Sequence, residues 1–100
     1  MLKANLRGTG AQTAEAIIAA PSGQAIAIYK LVVTTDAATA IVVTEGTDSA
    51  ANRIVDMYAG ADGGIAWDFN EAPYVLPDDT ALNLTTTAGN SKVTVHYELH

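Results

Sequence analysis

The sequence predicts an all-β protein, an antiparallel β-sandwich that is jelly-roll-like and has seven to eight short strands. Apolar runs rich in Val, Ile and Thr recur along the 100 residues, with Gly, Pro, Asn and Asp between them. Several runs alternate apolar and polar residues, and none has the 3.6-residue period of a confident helix. We expect a short N-terminal arm, residues 1–13, followed by a single sandwich domain, residues 14–100.

The most apolar stretch is Gln24–Glu45, with the sequence QAIAIYKLVVTTDAATAIVVTE. It predicts one strand over Ala25–Val33 and another over Thr39–Thr44, because branched Cβ atoms pack well on a pleated sheet. Five turn residues separate the two runs, which predicts an antiparallel hairpin. Only Lys30 interrupts the first run, so we expect this strand in the middle of a sheet.

Shorter strands are predicted on both sides of this stretch. Ala14–Ala20 fits a short helix or a buried strand, and the strand is favoured because a Pro-Ser-Gly turn ends the run at once. Asn52–Ala59 and Ile65–Phe69 flank an Asp-Gly-Gly turn. Because such turns supply the positive φ angles of hairpins, these two runs predict a second hairpin.

The last third of the chain contains a proline-rich connection and two strands. Asn70–Asp79 carries two of the three prolines, which predicts a long connection with an edge segment at Tyr74–Leu76. Thr80–Thr86 and Ser91–Leu99 alternate apolar and polar residues. We therefore expect the second of these strands to turn one set of side chains to the core, namely Val93, Val95, Tyr97 and Leu99.

Composition limits the possible partners and compartments. The net charge of −6 disfavours nucleic acid and anionic membranes as ligands. The absence of cysteine excludes disulfides and thiolate metal sites. We expect no signal peptide, because the N-terminal MLKANLRGTG lacks an apolar core of the required length. We expect no membrane span, since no apolar run approaches about 20 residues. Synthesis and folding in a cytoplasm are therefore expected.

No motif in the sequence predicts catalysis, a cofactor or a metal. It contains neither a Gly-x-Ser-x-Gly nucleophile motif nor a phosphate-binding P-loop. His96 and His100 lack metal-ligand spacing and are expected at the surface. Asp78 and Asp79 could contribute to a calcium site, but without ordered ligand spacing we expect solvated loop acids. The sequence therefore indicates a protein that is not an enzyme.

Aromatic residues offer one alternative, a sugar-binding surface. Trp67, Tyr58 and Tyr74 could form a stacking platform of the kind used by carbohydrate-binding modules. Trp67 and Phe69 alternate with smaller or polar residues along one strand. We therefore favour a core position for these two rings.

Two segments carry a resemblance to a known family. The first is YKLVVTTDAATAIVVTEGTDSAANRIVDMYAGADGGIAWDF; after a proline-containing connection, the second is ALNLTTTAGNSKVTVHYEL. Together they resemble small β-sandwich proteins of tailed bacteriophages, in particular head decoration (cement) proteins with a jelly-roll-like fold. The resemblance covers most of residues 24–99 and consists of strand and turn patterns.

This resemblance implies a structural virion protein on the capsid exterior, made in the cytoplasm of the host bacterium. Such a protein would bind the major capsid protein, stabilise contacts between its subunits, and commonly associate with itself as a homotrimer. The arm is the expected point of attachment, by docking or strand addition. We therefore expect interface residues at Leu2, Lys3, Leu6 and Arg7. Alternatives are a receptor- or carbohydrate-binding module of a phage fibre or spike, or another virion part such as a head fibre or tail-tube component.

Overall fold

A computed structural model of the chain describes residues 1–69 and 71–100, and these residues form nine strands with no α-helix. A single turn of 3₁₀ helix, Ala50–Asn52, precedes the fifth strand. The strands are β1 (Leu2–Gly8), β2 (Glu15–Ile18), β3 (Ile26–Thr35), β4 (Thr39–Glu45), β5 (Arg53–Ala59), β6 (Gly64–Asp68), β7 (Tyr74–Val75), β8 (Leu82–Thr86) and β9 (Ser91–Leu99).

The strands form two antiparallel sheets packed as a sandwich. The first sheet has the order β1-β9-β3-β6, and β7 pairs with β3 beside β6. The second sheet has the order β2-β8-β4-β5. Chain neighbours β1 and β2, β3 and β4, β5 and β6, and β8 and β9 therefore lie in opposite sheets. This alternation is the topology of a jelly roll, and it confirms the predicted fold class.

Both predicted hairpins are wrong. β3 pairs with β9, β6 and β7, whereas β4 pairs with β5 and β8. The turn at residues 36–38 therefore carries the chain from one sheet to the other, and residues 60–63 do the same between β5 and β6. A compact turn reverses the chain in either arrangement. Because β3 and β4 are both strongly apolar, placing them face to face across the core buries more apolar surface than pairing them side by side in one sheet.

Eight of the nine strands coincide with predicted runs, including the short edge segment β7. Asn70, the first residue of the predicted connection, lies outside the described residues. The ninth strand is β1, which pairs with β9 from Leu2 opposite Tyr97 to Gly8 opposite Ser91. Most of the predicted arm is therefore an edge strand of the first sheet, not a loosely ordered extension.

The core consists of the inward side chains of both sheets. Alternation places Val93 and Val95 of β9 inside, while Lys92 on the same strand is exposed. The apolar residues with at most 2% exposure are Ile26, Ala27, Ile28, Leu31, Val33, Ile41, Val43, Val55, Leu76, Leu82, Leu84, Val93 and Val95. Trp67 and Phe69 pack against this core from β6 and the residue after it, as predicted.

A β-bulge in β3 explains how a nearly continuous apolar strand accommodates Lys30. The register with β9 shifts between Ile28 and Lys30, so Tyr29 is an additional residue. Ile28 and Leu31 are both fully buried although three positions apart, and Lys30 between them is exposed. The bulge thus keeps an ionised lysine in solvent without interrupting the core.

Candidate functional site

Most of the basic residues lie on the outward face of the first sheet. Lys3 and Arg7 are on β1, Lys92 is on β9 and Lys30 is on β3, and all of these side chains are exposed. They are four of the five Lys and Arg residues in the chain. We call this surface the basic face.

The strand register aligns the side chains of the basic face in rows. Residues directly opposite on antiparallel strands project to the same side of the sheet, with Cβ atoms about 5 Å apart. A hydrogen bond of 2.9 Å from the Thr94 hydroxyl to Asn5 Oδ1 shows this shared side for β1 and β9. The three rows are Lys3, His96, Lys30 and Asp68; Asn5, Thr94, Val32 and Ala66; and Arg7, Lys92, Thr34 and Gly64.

The charge of this face is opposite to that of the remainder of the molecule. Asp68 and Glu98 are the acidic residues whose strand positions turn them to the same side. The other nine of the eleven Asp and Glu residues lie elsewhere in the chain. A protein with a net charge of −6 therefore has one sheet face with an excess of positive charge.

The fifth basic residue, Arg53, is in a different environment. It lies on β5 of the second sheet and forms ion pairs with Asp56 at 2.9 Å and Asp48 at 3.3 Å. The hydrogen bond that Arg53 donates to the Asp56 carboxylate is the main reason why the pKa of Arg53 is raised. On the basic face, Lys30 lies directly opposite Asp68 of β6, whereas Arg7 lies opposite Lys92.

An open cavity of about 430 Å³ borders the basic face at one end of the sandwich. Arg7 and Lys92 line it together with Asp36 and Asp62. Asp36 is held in place by Asn90, whose backbone N–H and side-chain amide donate to its carboxylate at 2.7 and 3.0 Å. The two cations and two carboxylates balance, so this cavity has no net preference for an anion or a cation.

Two buried hydroxyls lie in the wall of this cavity. Thr35 and Ser91 are opposite each other on β3 and β9, with exposures of 4% and 2%. Neither Thr35 Oγ1 nor Ser91 Oγ has a hydrogen-bond partner in the structure. Both atoms are closed to solvent, so they lie behind the cavity surface and a ligand in the cavity would not reach them without rearrangement.

The structure separates the four residues predicted to form an interface. Lys3 and Arg7 lie on the basic face. Leu2 and Leu6 are on the opposite side of β1; Leu2 remains 49% exposed, whereas Leu6 is half-buried against the core. The sequence analysis missed Lys30 and Lys92. Alternation alone would have turned Lys92 outward, but its neighbours depend on a strand order that the sequence does not reveal.

His96 is half-buried in the row between Lys3 and Lys30. The described residues contain no group of three or more His, Asp or Glu side chains placed to hold a metal. They also contain no helix of the length and hydropathy that crossing a membrane requires.

The aromatic residues considered for sugar binding do not form a shared platform. The half-buried Trp67 makes an edge-to-face contact with Phe69, with ring centroids 5.8 Å apart and an interplanar angle of 85°. Phe69 is in turn 6.3 Å from Tyr74. Tyr58 is 88% exposed but lies on β5, in the other sheet.

Comparisons with known proteins give no family for this chain. No family model, curated protein or solved structure matches it.

Proposed function

We propose that this chain is a structural virion protein that decorates the outer surface of a bacteriophage capsid and stabilises contacts between major capsid protein subunits. The observation that carries the proposal is the strand order, β1-β9-β3-β6 facing β2-β8-β4-β5. Jelly rolls of this kind recur in viral capsid and lectin domains. Because fold alone does not assign a role, the sequence resemblance to decoration proteins supplies the choice between these classes.

The position of the large aromatic rings supports a structural protein over a sugar-binding module. A sugar-binding surface needs an exposed ring beside polar groups, whereas Trp67 and Phe69 pack against the core. The cavity beside the basic face has no aromatic residue in its lining. Tyr58 is exposed but lies on the other sheet from Trp67 and Tyr74, so these three rings do not form the stacking platform that the receptor- or carbohydrate-binding alternative predicts.

Decoration does not require strong binding by each copy. A capsid presents the same surface many times, and a homotrimer would engage several subunits at once, so modest contacts add up through multivalency. The acidic remainder of the chain would keep free trimers from associating further before attachment.

Co-sedimentation with expanded phage heads that lack a decoration protein tests this function. The mass of the free protein is measured in parallel by light scattering. We expect saturable binding at a fixed ratio to capsid subunits, and a solution mass three times the 10.3 kDa of the chain.

Failure to sediment with heads at any concentration, together with a monomeric mass, would contradict the proposal. A glycan array would then test the receptor-binding alternative with the same purified protein.

A further inference from the structure

We infer that the basic face is a docking surface for an acidic patch on a folded protein. The inference concerns how this chain attaches, and it rests on the proposed function only in identifying the partner as the capsid. Three features of the face support it: the clustering of its charges, the like-charge pair formed by Arg7 and Lys92, and its dimensions.

The clustering is unusual for a protein of this composition. Charged residues are only 16% of the chain, and acids outnumber Lys and Arg by 11 to 5. The fifth basic residue, Arg53, lies on the other sheet and forms ion pairs with Asp48 and Asp56. The other four lie on three adjacent strands of one face.

The positive charges of the basic face are only partly offset within the chain: Asp68 lies directly opposite Lys30, and Asp36 and Asp62 line the cavity together with Arg7 and Lys92. Arg7 and Lys92 are directly opposite each other on β1 and β9, and like charges in this relation destabilise a sheet. A carboxylate at either position would remove the repulsion. A partner that brings carboxylates to these side chains would do the same and would gain binding free energy from it.

The dimensions of the face suit a compact patch of acidic side chains. Lys3 and Arg7 are four positions apart on β1, a distance of about 13 Å in a strand. β1 and β3 are separated by β9, hence by about 10 Å. Between the charged rows the side chains are small or uncharged, namely Asn5, Thr94, Val32 and Ala66. A folded partner can therefore approach this surface closely.

A nucleic acid fits this surface less well. Phosphate backbones are continuous and extend beyond a patch of this size, so a bound duplex would also meet the acidic remainder of the molecule. Asp68 and Glu98 lie on the same face as the lysines and would repel phosphates directly. A discrete group of carboxylates on a folded partner can contact the lysines without meeting the acidic remainder of the molecule and without lying against Asp68 and Glu98.

Charge reversal on this face provides the first test. The variants are Lys30→Glu, Lys92→Glu and the double variant, and the matched control is Arg53→Glu on the second sheet. Occupancy on undecorated heads is measured by co-sedimentation in about 0.1 M salt, where charges interact over roughly 10 Å. We expect the double variant to bind at least about tenfold more weakly than wild type, and Arg53→Glu to bind like wild type.

A second measurement does not depend on capsids. Binding of wild type and variants to poly-L-glutamate and to a DNA duplex is compared at low salt, with chemical shifts followed by NMR. We expect poly-L-glutamate to shift residues of the basic face in wild type and in Arg53→Glu but not in the double variant. Duplex DNA should bind more weakly than poly-L-glutamate.

The outcomes separate the two proposals. If wild type does not bind heads but binds poly-L-glutamate through the basic face, the capsid function fails and the docking surface stands. If the double variant binds heads as well as wild type does, the docking surface is wrong while decoration remains. The inference would also be overturned if duplex DNA bound more tightly than poly-L-glutamate. The same holds if neither polyanion nor the heads bound through the basic face.

Discussion

Arg7 and Lys92 lie directly opposite each other on β1 and β9, with both side chains on the exposed side of the first sheet. Antiparallel partners on one face have Cβ atoms about 5 Å apart, so two like charges here repel. The same pair also borders the cavity at the end of the sandwich. A carboxylate at either position would therefore stabilise the free protein but weaken the proposed attachment to an acidic partner.

Replacing Lys92→Glu should stabilise the isolated protein. The substitution turns a repulsive cross-strand pair with Arg7 into an attractive one, which is worth roughly 0.2–1 kcal/mol. Urea denaturation of wild type, Lys92→Glu and the uncharged control Lys92→Gln measures the effect, and the gain should be smaller for Gln. A free energy of unfolding below that of wild type for Lys92→Glu would contradict the opposed-charge geometry.

Two buried threonines flanking the turn at residues 36–38 should respond differently to the same substitution. Thr39 Oγ1 accepts hydrogen bonds from the backbone N–H groups of Thr87 and Ala88 at 2.9 and 3.1 Å and donates to the Ala40 carbonyl at 3.0 Å. Thr39→Val leaves these donors without their acceptor and should cost about 1–3 kcal/mol.

Thr35→Val is the matched control for this prediction. Thr35 is equally buried, but its hydroxyl has no partner in the structure. Removing a buried polar atom that forms no hydrogen bond should leave stability unchanged or raise it. Thermal or urea unfolding of both variants distinguishes the positions. Equal losses would mean that the Thr35 hydroxyl does form a hydrogen bond in solution.

Gly64→Ala should be strongly destabilising. Gly64 begins β6 with a φ of +155°, and a Cβ atom there would lie 1.9 Å from the Val33 carbonyl oxygen. Because backbone must move to relieve this clash, a loss of at least about 2 kcal/mol is expected. At Gly60, in the same connection, an added Cβ meets nothing within 4 Å. Gly60→Ala should therefore stay within about 1 kcal/mol of wild type, and equal tolerance at both positions would argue against the close approach of β6 to β3.

The stability of the protein should fall at high pH partly through Tyr74. Burial, and secondarily the charge of Glu45, whose carboxylate lies 3.5 Å from the phenol oxygen, raise the pKa of Tyr74 above the ordinary 10.0. The folded state then retains this proton after the unfolded chain has lost it. The stabilisation is therefore complete below pH 10 and disappears as pH rises through the folded-state pKa.

Urea denaturation between about pH 9 and pH 11 tests this assignment. Tyr74→Phe should lose less stability over this interval than wild type, and Glu45→Gln should fall between them. Parallel declines in wild type and Tyr74→Phe would assign the alkaline loss to other groups.

Local patterns predict the strands of this protein well because the burial of each strand is visible in its own sequence, either as alternation of apolar and polar residues or as an apolar run. Ser91–Leu99 is an example, since alternate residues are buried in its N-terminal half. β1 was missed because Leu2, Ala4 and Leu6 form a weak apolar pattern that is followed by two glycines, Gly8 at the end of the strand and Gly10 after it. β1 forms a strand because it pairs with β9, which lies at the other end of the sequence.

Strand pairing and the candidate site are much less accessible from sequence. The turn residues after β3 reverse the chain but do not specify whether β4 joins the same sheet, and this depends on apolar faces that only the folded core brings together. The basic face combines Lys3, Lys30 and Lys92 from distant parts of the chain. No local pattern relates these residues, so only the register of β1, β9 and β3 reveals them as neighbours.

A cryo-electron microscopy reconstruction of phage heads saturated with this protein tests capsid attachment through the basic face most directly. We expect additional density on the outer surface that fits the jelly roll, with Lys3, Lys30 and Lys92 turned toward acidic side chains of the major capsid protein. Heads without such density would contradict the decoration function. Density in which this face points to solvent would instead contradict the docking surface.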